Sequence, residues 1–431
     1  MEVRVISTEI IKPSSPTPPH LRTHKLSLLD QLNTDDYFPL VYFYSGASKN
    51  TTEISDHLKS SLAKALTQYY PFAGRVIDNF SVECDDSGAT FIEARVANEM
   101  SEMLKQPEFD QLVQLLPFKD NVLKLYTDGI LVVVQVNYFS CGGVVIGVYF
   151  NHVVADAAAA ATFIQSWAAI ASGGNYSTDA IYNCTTIFPP QDLKLQVKDL
   201  WGRIYKSFCD SHGEAVAKRF IFHDAEITAL RERIRNGSLD CPTRFEAVSA
   251  LILGAMTVAS RDREGFKTTN VAYIPVSLQN RMNPPLPKQH IGSICLAIMA
   301  KWSTEKIIDY NNLAGKLHES IATMDEDYMM KLNEDASHFL NGVASLEEEI
   351  KKLNFMFVSS TCRFPFYDAD FGWGKPKWAS VLMKDNNTAI LSDTGNGEGI
   401  EVWVGLSEDD MAKFEKNPDI LAYASINPSI E

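Results

Sequence analysis

The chain has 431 residues, 45% hydrophobic and 22% charged, with a formal net charge of −15. That length exceeds what one compact core holds and predicts two domains of ordinary globular composition. The acidic balance argues against non-specific binding to nucleic acid or an anionic membrane, because both would repel it.

Residues 1–12 lack the long apolar core of a secretory signal. No stretch approaches the roughly 18 consecutive apolar residues of a membrane helix, so the cytosol is the expected location. The seven cysteines are scattered and form no CxxC pair. Reduced thiols are expected rather than a disulfide framework or a zinc site.

Val3 to Ile11 reads as a strand, and the proline-rich 13–19 stretch breaks regular structure. Ser27 and Asp30 are plausible caps for a short segment ending at Leu32, and Tyr37 to Tyr44 is an aromatic strand. In Glu53 to Tyr69, Ile54, Leu58, Leu62, Ala65, Leu66 and Tyr69 fall on one helical face. Phe80 to Cys84 and Thr90 to Val96 read as a hairpin around Asp85-Asp86-Ser87-Gly88. Ile130 to Val136 and Val144 to Phe150 read as a second hairpin, turning through Cys141-Gly142-Gly143. The alanine-rich run from Ala157 to Ala171 is a helix.

Residues 175 to about 215 carry few strand signals, with a weak helical run from Lys194 to Ala217. This predicts a crossover, with a domain boundary between 180 and 218. The second half repeats the style of the first. Lys218 to His223, Val271 to Val276, Ile294 to Lys301 and Phe355 to Thr361 are strands. Ala225 to Arg235 and Thr243 to Ser260 are helices, and Glu305 to Asp325 and Glu326 to Lys352 are long polar helical patterns. Ala389 to Asp393 and Ile400 to Gly405 form a hairpin. The fold class is α/β, two mixed halves with prominent antiparallel pairing.

Gly395-x-Gly-x-Gly399 is a false lead, because a phosphate-binding fingerprint needs a helix after its glycines and a strand follows here. No Walker motif, Gly-x-Ser-x-Gly elbow, zincin helix or EF-hand loop is present. The stretch that stands out is Asn151-His152-Val153-Val154-Ala155-Asp156. It places His152 between a buried strand and a helix, where rigid elements can hold a side chain against a ligand. Histidine is suited to moving a proton near neutral pH. The alternative is a satisfied buried histidine with no reactive role. Asp156 is either an acid–base partner of the imidazole or a clamp that shapes the turn. Its place at a helix start favours the clamp.

Asn-His-Val-Val-Ala-Asp at 151–156 and Asp-Phe-Gly-Trp-Gly at 370–374 resemble the two signature motifs of the plant BAHD acyltransferases. Supporting matches run end to end, among them Tyr70-Pro71-Phe72-Ala73-Gly74-Arg75, Cys141-Gly142-Gly143 and Arg281-Met282-Asn283-Pro284-Pro285-Leu286-Pro287. The resemblance implies two similar-sized mixed-sheet domains of the chloramphenicol acetyltransferase-like type, with a tunnel between them. They would span 1–195 and 218–431, joined by a crossover at 196–217.

The resemblance also implies acyl transfer from a coenzyme A thioester to an alcohol or amine. His152 is the implied general base. Asp156 is implied to be structural and paired with an arginine, for which Arg281 is the candidate. Asp370, Phe371, Gly372, Trp373 and Gly374 are implied to support the coenzyme A side. Ser249, Ser359, Ser360, Arg363 and Lys375 are the candidate coenzyme A contacts. The co-substrate is expected to be acyl-CoA, acetyl-CoA above all, with no permanently bound cofactor and no metal. The local wording is most similar to a branch of the family that acts on bulky specialised-metabolite alcohols, notably alkaloids. A monomer is expected, with a small-molecule alcohol as acceptor and neither nucleic acid nor membrane as partner. The rival readings are N-acylation of an amine, O-acylation of a sugar, and a silent metabolite-binding relative. Asn151 stands where many members carry a second histidine, and Gln279, Ser293 and Thr361 are further departures.

Overall fold

The structure is a computed structural model. It describes residues 1–34, 36–46, 50–78, 80–117, 129–174, 180–193, 200, 203–204, 214–235, 239–262, 265–304 and 307–430. Two large sheets carry the chain. The first has six strands in the order Val3–Ile11, Ala89–Val96, Val132–Phe139, Val144–Asn151, Tyr37–Tyr44 and Trp378–Val381. The second has seven, in the order Cys295–Ser303, Thr269–Ser277, Asn354–Ser360, Thr388–Asp393, Ile400–Ser407, Ala215–Phe222 and Ser425–Ile426. Each mixes parallel and antiparallel pairs, as expected for the mixed α/β halves.

Local chemistry explains the helices that matter for the site. Asn50 accepts a hydrogen bond from the Glu53 N–H and starts the helix Thr51–Gln68, which buries Ile54, Leu58, Leu62, Ala65 and Leu66. That face packs on the helix Ala157–Ser172, which is almost entirely apolar and ends at Gly173 in the left-handed conformation. Capping boxes start the helices Leu28–Leu32, at Ser27 and Asp30, and Arg244–Ser260, at Thr243 and Glu246.

Three expectations need correction. The proposed hairpin around Asp85 does not form. Ser81–Glu83 joins a small three-stranded sheet, whereas Ala89–Val96 pairs with Val3–Ile11 and, in parallel, with Val132–Phe139. The long polar pattern after Glu326 is two helices, Glu326–Glu334 and Ser337–Glu349. Between them Asp335 accepts from the Ser337 N–H, and the Ala336 N–H donates to Gln191, so the backbone turns.

The third concerns the boundary. Trp378–Val381 lies beyond residue 218 yet pairs antiparallel with Tyr37–Tyr44. In the other direction, Leu28, Leu29 and Leu32 are buried in the core of the second sheet. A cut at 218 therefore does not separate the two sheets. Most of the expected 196–217 crossover lies outside the described residues.

The exchanged strand is fastened by a buried polar network. Glu401, on the second sheet, accepts from Arg219, from the Trp378 indole at 3.0 Å and from Ser380 at 2.7 Å. Arg219 and Glu401 are 3% and 4% exposed, so this ion pair is shielded from water. Among the described residues, no helix is long and apolar enough to cross a membrane.

Candidate active site

The strand Val144–Asn151 is buried along its whole length and delivers Asn151 to the turn. Asn151 shapes that turn with its own side chain, accepting from the Val153 N–H at 2.8 Å. The His152 N–H donates to the Asp36 carbonyl at 2.8 Å. The backbone on both sides of His152 is thus fixed before its side chain is considered.

The imidazole lies against Phe38, ring centres 4.4 Å apart, and Phe38 in turn stacks on Phe150. His152 keeps a partly accessible edge, but its Nδ1 atom is buried without a hydrogen bond of good geometry. Burial pulls its pKa down to about 4, against a weaker opposing pull from the Ala155 backbone. At neutral pH the ring is therefore uncharged and able to accept a proton.

Asp156 caps the helix Ala157–Ser172. One carboxylate oxygen accepts from the Ala159 N–H at 2.8 Å. The other accepts from the Ile294 N–H at 3.1 Å, in the facing half of the molecule. Among the described residues, no hydrogen bond or ion pair joins it to His152. The expected pairing with Arg281 is not present, because the Arg281 guanidinium donates instead to the carbonyls of Ile321 and Met324. Backbone N–H groups take the place of the arginine. Burial raises the Asp156 carboxyl to about 6 despite these donors, and the nearby Asp30 adds to the rise.

The second motif lies apart from His152. Asp370 Oδ1 accepts from the N–H groups of Gly372 and Gly374, at 2.8 and 2.9 Å. Both glycines have positive φ, 94° and 99°, which side-chain-bearing residues resist. Phe371 is fully buried, edge-on to Trp167 and Tyr44 and stacked with Trp373. The tight turn thus presents an aromatic plug to the first sheet and its helices.

The candidate coenzyme A contacts are dispersed. Ser249 is fully buried on the helix Arg244–Ser260, with its hydroxyl unpartnered. Ser359 and Ser360 end the strand Asn354–Ser360, half-buried. Arg363 follows with a φ of 69°, its N–H donating to Asp393 at 2.5 Å. Arg244, not among the residues singled out above, lies 4.0 Å from the other oxygen of Asp393. The Ser249 helix and the Arg363 turn therefore meet. Lys375 is exposed and pairs with Asp368 at 2.8 Å. No described contact joins it to this group.

Several site residues escaped the sequence reading. Phe38 and Asp36 face His152 from a strand and loop more than a hundred residues away. Tyr273 is half-buried on the second sheet and stacks with Phe357. Burial drives its phenol well above the ordinary range, and Asp36 and Cys295 push the same way. Aromatic rings thus lie near the His152 turn from both sheets, Phe38 on the first and Tyr273 on the second. Cys295 and Cys362 are pushed up to about 12 by burial and stay protonated thiols at neutral pH. Two surface cavities of about 540 Å³ lie elsewhere, one beside Glu102 and Glu108 and one beside His57 and Lys64.

Comparison with known proteins matches this architecture. The Transferase family model matches residues 1–421. An epi-neemfruitin B synthase of Melia azedarach is 46% identical, with both chains covered completely. A limonoid 1-O-acetyltransferase of Citrus sinensis is 45% identical over the full length of both chains. The crystal structure of vinorine synthase superposes with a TM-score of 0.81 at 32% identity, again covering both chains fully. The chain belongs to the Transferase family, the plant BAHD acyltransferases, and is an acyl-CoA-dependent acyltransferase with that family's two-domain fold.

Proposed function

We propose that this enzyme transfers an acetyl group from acetyl-CoA to a hydroxyl of a limonoid-type alcohol, with His152 as the general base. The observation that carries the chemistry is the neutral, rigidly held imidazole at the strand-to-helix turn. A hydroxyl is a poor nucleophile at neutral pH, and a base within hydrogen-bond reach removes that obstacle. His152 takes the hydroxyl proton as the oxygen attacks the thioester carbonyl. The C–S bond then breaks, and the imidazolium returns its proton to the departing thiolate. The cysteines at 295 and 362 stay protonated, which favours direct transfer in a ternary complex over an acyl-enzyme.

For the acceptor, the 45% identity to the Citrus limonoid acetyltransferase outweighs the expected lean towards alkaloids. Phe38, Tyr273 and Phe357 give the cleft the apolar aromatic surface that a bulky polycyclic alcohol requires. The test is incubation with acetyl-CoA and a panel of limonoid alcohols, alkaloid alcohols and matched amines, followed by mass spectrometry. Acetylation of limonoid hydroxyls that disappears in His152→Ala is expected. Acetylation confined to alkaloids or amines would overturn the acceptor assignment. Retained turnover in His152→Ala would remove it as base.

A further inference from the structure

The loop at Gly292-Ser293-Ile294 is held by two carboxylates, Asp156 from the His152 turn and Asp30 from the helix Leu28–Leu32, whose leucines lie in the core of the second sheet. Asp156 takes the Ile294 N–H at 3.1 Å, and its own N–H reaches the Gly292 carbonyl at 3.4 Å. Asp30 takes the adjacent Ser293 N–H at 2.7 Å. Its second oxygen closes the capping box with the N–H and hydroxyl of Ser27, at 2.8 and 2.7 Å. Three residues along, Asn33 donates to the carbonyls of Ser293 and Cys295. Gly292 has a φ of 137°, and a Cβ there would meet Asp30 at 3.2 Å. Asp30 is 4% exposed and Asp156 is 5% exposed.

This arrangement does more than cap a five-residue helix. Two consecutive N–H groups of the loop meet two buried carboxylates, one that fixes the loop to the second sheet's core and one that reaches it from the His152 turn. Asp156 begins the helix that follows His152, so the position of its carboxylate and that of the His152 turn are one rigid unit. Whatever holds the 292–294 loop also sets where that unit lies against the second sheet. A hydrogen bond to a charged acceptor contributes more than a neutral one, and both bonds are out of water. No described cation contacts either carboxylate.

We propose that Asp30 is a positioning residue for acyl transfer: with Asp156 it clasps the 292–294 loop and thereby sets His152 against the facing half of the cleft. This rests on His152 being the base. Asp30 is buried and both its oxygens are engaged by Ser27 and Ser293, so its loss should lower kcat with little change in the acetyl-CoA KM. A displacement on the order of 1 Å at a reacting group costs up to about a hundredfold in rate.

The test is steady-state kinetics of Asp30→Asn, Asp156→Asn and the double variant, beside wild type and His152→Ala. Leu346→Ala, a buried core change on the helix Ser337–Glu349, controls for general loss of stability. Asp30→Asn is expected to lose about tenfold to a hundredfold in kcat. The double variant should lose no more than the worse single one, because both act through one loop. Leu346→Ala should keep its kcat at a temperature where it is folded. If Asp30→Asn does not fold, Gly292→Ala disturbs the same clasp with both carboxylates kept, and should lower kcat alike. Wild-type kcat in a folded Asp30→Asn, additive losses, or an unaffected Gly292→Ala would overturn the proposal. A wild-type enzyme without transfer, or an active His152→Ala, would instead defeat the functional reading.

Discussion

Replacing Asp156 by alanine gives a pH signature that the structure fixes in sign. The side chain satisfies two buried N–H groups, Ala159 at 2.8 Å and Ile294 at 3.1 Å. Leaving a buried donor unsatisfied costs about 1–3 kcal/mol, so the pair costs about 2–6 kcal/mol. Against this stands relief of a buried charge, since the carboxyl is raised from 3.8 to about 6. A raised carboxyl stabilises the fold while it is protonated, and that contribution fades as pH rises through the folded value. Relative to the fully protonated protein, ionisation costs the wild type about 3 kcal/mol at pH 7 but only about 2 kcal/mol at pH 5. Alanine has no such dependence. The stability gap between wild type and Asp156→Ala should therefore widen by about 1 kcal/mol between pH 7 and pH 5. Urea unfolding of both proteins at the two pH values measures it, with the titrating groups remote from Asp156 cancelling in the difference. A gap that stays constant or narrows would refute the buried-anion account of Asp156.

His152→Ala should lower kcat by about 10²- to 10⁴-fold, the usual worth of a positioned base. Acetyl-CoA affinity, read by calorimetry, should stay close to wild type. Phe371→Ala removes a fully buried ring from the aromatic plug and should destabilise by about 3–5 kcal/mol in urea. Its turnover should survive at low temperature, and loss of kcat in the folded variant would give the second motif a chemical role. Glu401→Gln leaves the shielded Arg219 without its counter-charge and should cost about 3–5 kcal/mol. A loss below about 1 kcal/mol in the same assay would mean the network bridging the sheets contributes little.

What the sequence determined by itself is local. A continuous hydrophobic run placed the strand ending at Asn151, and alanine-rich composition placed the helix after Asp156. The caps at Ser27 and Asp156 were legible because a side chain and the N–H it serves lie three residues apart. His152 was legible because a strand-to-helix junction is a short-range pattern, and the family was legible from two motifs about two hundred residues apart.

The tertiary structure decided everything that depends on distant partners. The family resemblance implied an arginine for Asp156, yet packing supplied the Ile294 N–H, 138 residues away. Asp30 looked like a local cap until packing brought Ser293, 263 residues away, against its other oxygen. The expected hairpin after Phe80 failed because strand propensity does not name the neighbour, and Ala89–Val96 pairs across the sheet instead. Trp378–Val381 crossed the expected domain boundary for the same reason. Its indole and the Ser380 hydroxyl needed the buried Glu401, which only the assembled second sheet provides. Short-range chemistry chose the elements; satisfaction of buried polar groups in the assembled core chose their partners.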